Sequence, residues 1–217
     1  KKQLFTGIPN LTLITPSEWL ANLVRGSFLK EYPVTVIHNG IDTTIFKPRL
    51  LEAQELRKKF CLEGKQVLLG VAAIWDQRKG LDDLLELSLK LKSYQQLVLI
   101  GLSKKQLNKL PKDIIGLTTT DSVEELSTWY TLADVFVNPT TQDNYPTTNL
   151  EAIACGTPVV TYPTGGSIES THMYGIVCSD RTVTSMLESL REVSHCKRNP
   201  NFNLSKEYFV ENILKLY

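Results

Sequence analysis

The sequence predicts an α/β fold, a doubly wound parallel sheet, and three observations carry that prediction. Short apolar or β-branched runs alternate with segments of helical period along the chain, as repeated βα units require. One run, Gln66-Val67-Leu68-Leu69-Gly70-Val71-Ala72-Ala73, is almost wholly apolar, which suits a parallel strand covered on both faces. Loops bearing glycine follow several runs, at Gly80, Gly101 and Gly165-Gly166. Such loops open at the end of a sheet where α/β folds take ligands.

Composition narrows the class. The 217 residues suffice for a full core. A net charge of +1, from 24 basic and 23 acidic residues, argues against a nucleic-acid surface. Cys61, Cys155, Cys178 and Cys196 form no CxxC pair, so no metal or redox motif is read and reduced thiols are expected. No apolar run reaches the length of a membrane span, and no signal peptide is read. The start, Lys1-Lys2-Gln3, lacks an initiator Met and reads as the start of a fragment.

Taken in order, Leu11 to Ile14 reads as a strand. Ser17 suits the N-cap of a helix over Trp19 to Leu29. Val34 to Ile37 is a second strand, closed by His38 and the turn signal Asn39-Gly40. His38 reads as a turn residue at the strand end or as a ligand. Leu51 to Phe60 is a helix charged on one face. The apolar strand over Gln66 to Ala73 leads through Ile74-Trp75-Asp76-Gln77-Arg78-Lys79-Gly80 into a helix over Leu81 to Leu91. A strand, a basic glycine-bearing loop and a helix make half a nucleotide-binding unit. Arg78 and Lys79 are placed to neutralise a diphosphate, or are two solvated loop cations.

Leu97 to Gly101 is the next strand, Lys104 to Leu110 a helix and Ile114 to Leu117 a strand. Val123 to Leu132 is a helix whose stripe of Leu126, Trp129 and Tyr130 reads as core. Asp134 reads as a turn or cap residue. From Asp143 to Ser167 the chain reads loop, helix, loop, strand, loop. Pro146 suits a first helical turn, Leu150, Ile153 and Ala154 share a face, and Gly156 and Pro158 end the helix. Val159 to Tyr162 is a buried strand. Free N–H groups near Thr147 to Asn149 can receive a phosphate. Asp143 and Glu151 could hold hydroxyls at two ends of one ligand; equally, Glu151 suits an early helical turn and Asp143 a loop. Tyr174 to Cys178 is a last strand and Thr182 to Val193 a helix. Cys196 to Asn203 is a polar connector. Ser205 to Tyr217 is an amphipathic helix with Tyr208, Phe209, Ile213 and Leu216 on its apolar side.

Asp143-x7-Glu151, with Tyr145-Pro146 inside it and Glu151-Ala152-Ile153-Ala154-Cys155-Gly156-Thr157-Pro158-Val159-Val160 after it, resembles the E-x7-E signature of retaining GT-B glycosyltransferases of the family 4, group 1 type. Asp replaces the first Glu. His38-Asn39-Gly40-Ile41-Asp42 is similar to the same family's passage between its two domains, and Ala133 to Pro139 to its strand before the donor loop. Ser167-Ile168-Glu169 keeps part of its Gly-Gly-x-x-Glu. The resemblance covers essentially the whole chain.

That resemblance implies a Rossmann-like C-terminal domain of a GT-B fold. Residues 1–32 would be the tail of an acceptor domain, 33–203 the nucleotide-sugar-binding domain and 204–217 a crossing helix. The implied donor is a nucleotide diphosphate sugar, UDP- or GDP-linked, with no cofactor and no metal. Lys79 and Asp143 would be the catalytic residues: Lys79 holds the diphosphate, and Asp143 holds the sugar with the backbone of Asn144, Tyr145, Pro146 and Thr147. The family's Arg falls on Ile74, with Arg78 as its substitute. Glu151 would hold ribose hydroxyls, Gly165 and Gly166 would line the donor, and Thr118 to Ser122 would lie near the base. The acceptor, a glycan or lipid-linked sugar, would be held by the missing N-terminal domain, so the fragment alone would not transfer sugar. No nucleic-acid partner is expected. The location implied is cytoplasmic, with the inner face of the cell membrane an option for the full-length enzyme in polysaccharide biosynthesis. A nucleotide-sugar epimerase and a non-catalytic nucleotide-sugar-binding module are the alternatives.

Overall fold

The computed structural model describes residues 2–197 and 202–216. The first unit holds α1 (Lys2–Phe5), β1 (Leu13–Thr15), α2 (Glu18–Arg25) and β2 (Val34–Val36). Ser17 caps α2, its side chain accepting from the Leu20 N–H. β1 and β2 pair in parallel as a separate two-stranded sheet, Leu13 opposite Val34. The expected division after residue 32 would cut between these paired strands. β2 hydrogen-bonds to β1 and to no strand of the larger sheet.

The remaining elements are α3 (Leu50–Lys59), β3 (Gln66–Val71), α4 (Leu81–Ser88), β4 (Gln95–Ile100), α5 (Lys104–Leu107), β5 (Ile115–Leu117), α6 (Val123–Leu132) and β6 (Val135–Asn138). After them come α7 (Thr147–Ala154), β7 (Val159–Thr161), α8 (Ser167–Thr171), β8 (Gly175–Val177), α9 (Val183–Glu192) and α10 (Lys206–Leu214). Strands β3 to β8 form one parallel sheet in the order β5-β4-β3-β6-β7-β8. The chain reverses its winding between β3 and β6, the switch point where crevices open in this architecture.

Alternation along each strand builds two cores. Val67, Leu69 and Phe136 pack on one face with Trp129, Tyr130, Leu150 and Ile153. Leu68, Val135 and Val137 pack on the other with Leu84, Leu87 and Met186. The stripe on α6 is thus core, as expected. Asp134 ties the start of the sheet, its carboxylate accepting from the Val67 N–H at 2.7 Å and from Arg57 at 3.2 Å.

Three local features differ from the sequence reading. Ser167, expected at the end of a loop, instead starts the short helix α8, Ser167–Thr171. α2, α4 and α5 end about a turn early, at Arg25, Ser88 and Leu107. The apolar side expected of the last helix is only half covered: Phe209 and Ile213 are partly buried, while Tyr208 and Leu216 stay exposed. Residues 198–201 of the expected connector, and Tyr217, lie outside the described residues. The start of α10 is held by the Asn39-Gly40-Ile41-Asp42 passage. Ile41 N–H donates to Leu204 O at 2.8 Å, Lys206 N–H to Ile41 O at 2.9 Å, and the Lys206 ammonium pairs with Asp42.

Candidate functional site

Two loops leave the switch point, one after β3 and one after β6. The first makes a single 3-10 turn over Gln77–Lys79, capped by Asp76, whose carboxylate accepts from the Lys79 N–H at 2.9 Å. This turn aims Lys79 across the crevice. Its Nζ donates to Asp143 Oδ2 at 2.6 Å, and both side chains are largely buried, 20% and 16% exposed. The two loops are also laced by backbone. Thr141 N–H donates to Arg78 O at 2.8 Å, and Arg78 Nη1 donates to Gln142 O at 3.1 Å. The Arg78 guanidinium is half exposed, with Asp76 at 3.8 Å. Ile74, where the resembled family has its Arg, is 74% exposed.

The Asp143–Asn144 backbone rests on the glycine pair after β7. Gly166 N–H donates to Asp143 O at 3.0 Å. A Cβ on Gly165 would stand 2.2 Å from Asp143 O, and one on Gly166 1.8 Å from Asn144 O. These contacts are far inside van der Waals distance, so only glycine lets the loops lie this close. Tyr145 turns its ring away into the protein. It is 3% exposed and stacks on His38 with centroids 4.7 Å apart. Only its backbone remains for a ligand. Pro146 occupies the N-cap position of α7, brings no N–H and offers no side-chain cap. The first N–H groups of a helix have no intrahelical acceptor, so those of Thr147 and Thr148 are open to an anion.

Glu151 lies one turn inside α7 and makes its contact elsewhere. Its Oε2 accepts from the Tyr130 hydroxyl at 2.9 Å. Burial pushes its carboxyl above the usual range, partly offset by hydrogen bonds from Tyr130 and Thr147. The Tyr130 phenol is pushed up by its own burial and by the Glu151 charge. Of the candidate residues, the structure therefore brings Lys79, Asp143, Gly165 and Gly166 together, with Arg78 and Asn144 on the same two loops and Thr147 at the start of α7. Glu151 is joined to α6 and not to Asp143.

The sequence reading missed a buried polar network beneath these loops. Asn149 is fully buried in α7. Its Nδ2 donates to Ser170 Oγ at 2.9 Å and Ser167 Oγ at 3.2 Å, and its Oδ1 accepts from Asn138 Nδ2 at 2.8 Å. Thr161 Oγ1 donates to Asn138 O at 2.7 Å. The network ties β6, α7, β7 and α8 into one support. The available signal was an Asn at 149 flanking Leu150 on a helix that otherwise presents apolar residues inward. Glu169 was noted only as part of a Gly-Gly-x-x-Glu pattern, with no contact expected of it; its carboxylate accepts from the Glu18 and Trp19 N–H groups, each at 2.9 Å.

A cavity of about 470 Å³ lies behind Tyr145, between residues 35–40 and α10, and His38, Met173 and Phe209 help line it. Neither Lys79 nor Asp143 borders it. No group of three or more His, Cys, Asp or Glu side chains with metal-ligand spacing occurs among the described residues. No helix among them is long and apolar enough to cross a membrane.

The chain is 28% identical over 163 residues to the processive diacylglycerol alpha-glucosyltransferase of Acholeplasma laidlawii, covering 71% of this chain and 48% of that protein. It is 24% identical over 238 residues to the alpha-galactosylglucosyldiacylglycerol synthase of Streptococcus pneumoniae, covering 98% and 60%. It thus spans roughly half the length of these relatives. Among solved structures, the sucrose-phosphate synthase of Thermosynechococcus elongatus superposes with a TM-score of 0.74 at 19% identity, over 100% of this chain and 56% of that one. The Anabaena protein HepE in complex with UDP-glucose does so at 0.67 and 16% identity, over 93% and 63%. These neighbours bear out the doubly wound, Rossmann-like GT-B fold. Residues 65–195, from β3 through α9, match the family described as Glycosyl transferases group 1, and the chain belongs to that family.

Proposed function

We propose that this chain is the donor-binding half of a glycosyltransferase that moves a sugar from a nucleotide diphosphate to a glycan or lipid acceptor with retention at the anomeric carbon. The observation that carries the reading is the Lys79–Asp143 pair at 2.6 Å, set at the switch point beside the open N-terminus of α7. A cation and free amide groups at one crevice suit a diphosphate; a carboxylate beside them suits a sugar hydroxyl.

In this reading Lys79, the Thr147 and Thr148 N–H groups and Arg78 take up the charge of the departing diphosphate. Charge developing on the leaving group is met by fixed donors, which lowers the barrier to breaking the anomeric bond. These groups take the place of a divalent cation. Asp143 and the Asn144 backbone orient the sugar, and Glu151 accepts from ribose hydroxyls through the oxygen that Tyr130 leaves free. UDP is the favoured nucleotide, because HepE is a UDP-glucose complex in the same fold. The diacylglycerol-directed relatives favour a lipid or glycolipid acceptor, with the enzyme working at the cytoplasmic face of a membrane. Residues 1–36 are read as the margin of an acceptor-side domain, supported by exposed Leu4, Phe5, Leu23 and Phe28. One feature favours a second reading, a binding module without transfer: exposed Ile74 stands where the family carries a cation.

A thermal-shift series with UDP-, GDP- and ADP-sugars tests the donor reading, since a ligand bound only by the folded state raises its melting temperature. A shift with a UDP-sugar supports it; no shift with any of the three overturns it. The chain alone is expected to bind donor without glycosylating an acceptor, because transfer needs both reactants held in contact.

A further inference from the structure

We propose that Glu169 is a positioning residue: its carboxylate clamps the N-terminus of α2 and so fixes the β1–β2 unit against the 143–146 loop. Glu169 stands in α8, directly after the glycine pair. Its Oε2 accepts from the Glu18 N–H and its Oε1 from the Trp19 N–H, each at 2.9 Å. Both are donors that α2 cannot satisfy within itself. The next N–H, that of Leu20, is taken by Ser17 Oγ at 3.1 Å. A carboxylate sharing two amide protons at a helix start gains from charge-assisted bonding and from the helix dipole. Its partners lie 150 residues away in sequence, so this contact joins separate sheets rather than neighbours on one helix.

Four further contacts converge on the same seam. Gly166 lies beneath fully buried Ser17, close enough that a Cβ there would stand 2.9 Å from Ser17 Cβ. The same glycine holds Asp143 O through its N–H. On the other side His38 stacks on Tyr145, and its Nδ1 donates to Pro16 O at 2.9 Å. Residues 16–19 are thus gripped by Glu169, Gly166 and His38, two of which also touch the loop carrying Asp143. A displacement of the β1–β2 unit passes through this seam to Asp143. Its consequence for sugar placement rests on the donor reading above; the clamp itself does not.

Residue-resolved amide exchange on this chain tests the proposal, with Glu169→Ala and Glu169→Gln compared and UDP as the probe. Glu169→Ala should speed exchange of the Glu18 and Trp19 amides about tenfold or more, and that of the Gly166 amide, while the core amides of β3 and β6 keep their rates. Glu169→Gln retains one acceptor oxygen and should restore part of the protection. Unchanged exchange at Glu18 and Trp19 in the alanine variant overturns the clamp. A change confined to those two amides overturns its coupling to the loop. Should the alanine variant loosen β3 and β6 as well, the glutamine variant decides: intermediate protection at Glu18 and Trp19 with an unchanged core supports the clamp, and full protection overturns it. Added UDP should slow exchange at Thr147 and Thr148 in all three proteins. Loss of that effect alone counts against the donor reading and leaves the clamp result standing.

Discussion

Lys79 Nζ donates to Asp143 Oδ2 at 2.6 Å, joining two loops 64 residues apart across the switch point of the sheet. Each partner is mostly shielded from water, so their attraction is screened less than that of an exposed ion pair, and removing either partner strands the other as a buried unpaired charge. The same pairing means that Lys79 meets an incoming diphosphate with its charge already partly balanced.

Lys79→Ala should weaken UDP binding by roughly 1–3 kcal/mol, the scale of a charge-assisted hydrogen bond, and leave uridine binding nearly unchanged. Titration calorimetry with the two ligands measures this. Equal losses for both would assign Lys79 to folding instead.

Asp143→Asn should act in the opposite sense on the bare nucleotide. With its carboxylate neutralised, Lys79 is released toward phosphate, and UDP should bind about two- to fivefold more tightly, a gain of roughly 0.4–1 kcal/mol. The preference for UDP-sugar over UDP should fall at the same time. Weaker UDP binding in this variant would show that the pair does not compete with the diphosphate.

Glu151 predicts a pH dependence of stability. Its carboxyl is raised by burial, so the folded chain binds its proton more tightly than the unfolded chain does. Stability contributed by that proton is complete below the ordinary carboxyl value and is lost as pH rises through the raised folded value. Glu151→Gln should remove this fall. In urea unfolding, the variant should gain on the parent as pH rises from about 4, the ordinary carboxyl value, since the difference isolates this one group. A constant difference above that value would refute the assignment.

Asn149→Leu should cost about 2–4 kcal/mol in urea unfolding, although it enlarges the apolar surface of α7. It leaves Asn138 and the Ser167 and Ser170 hydroxyls buried without their amide partner, and stranded polar groups cost more than the hydrogen bond itself contributes. A variant as stable as the parent would mean that water or a rotated hydroxyl replaces the amide.

Much was legible before the structure. Ser17 caps its helix as its residue type foretells, accepting from an N–H three residues on, while Thr182, expected inside its helix, caps it instead. Gly156 ends α7 in the left-handed region, at φ +91°. The apolar run from Gln66 supplied the buried central strand β3, and the chain alternates strand and helix from there to α9. Lys79 and Asp143 were both singled out as residues, but their pairing was not. Glu151 suits a ligand contact or an early helical turn by sequence, and nothing near it in sequence announces the Tyr130 hydroxyl that donates to it.

What the sequence by itself determined is what short-range physics encodes. Caps, turns, helical and strand periods, and the apolar face of each element depend on residues within a few positions of one another. Tertiary structure alone decided which loops meet. β2 joins β1 because the winding leaves it outside the six-stranded sheet, whereas its own sequence suits either sheet. Lys79 reaches Asp143, and Glu169 reaches Glu18 and Trp19, only after the strand order has put β3 beside β6 and α8 beside α2. Contacts between residues 64 or 150 positions apart carry no local pattern, because closing such loops is costly until the packed sheet has fixed both ends.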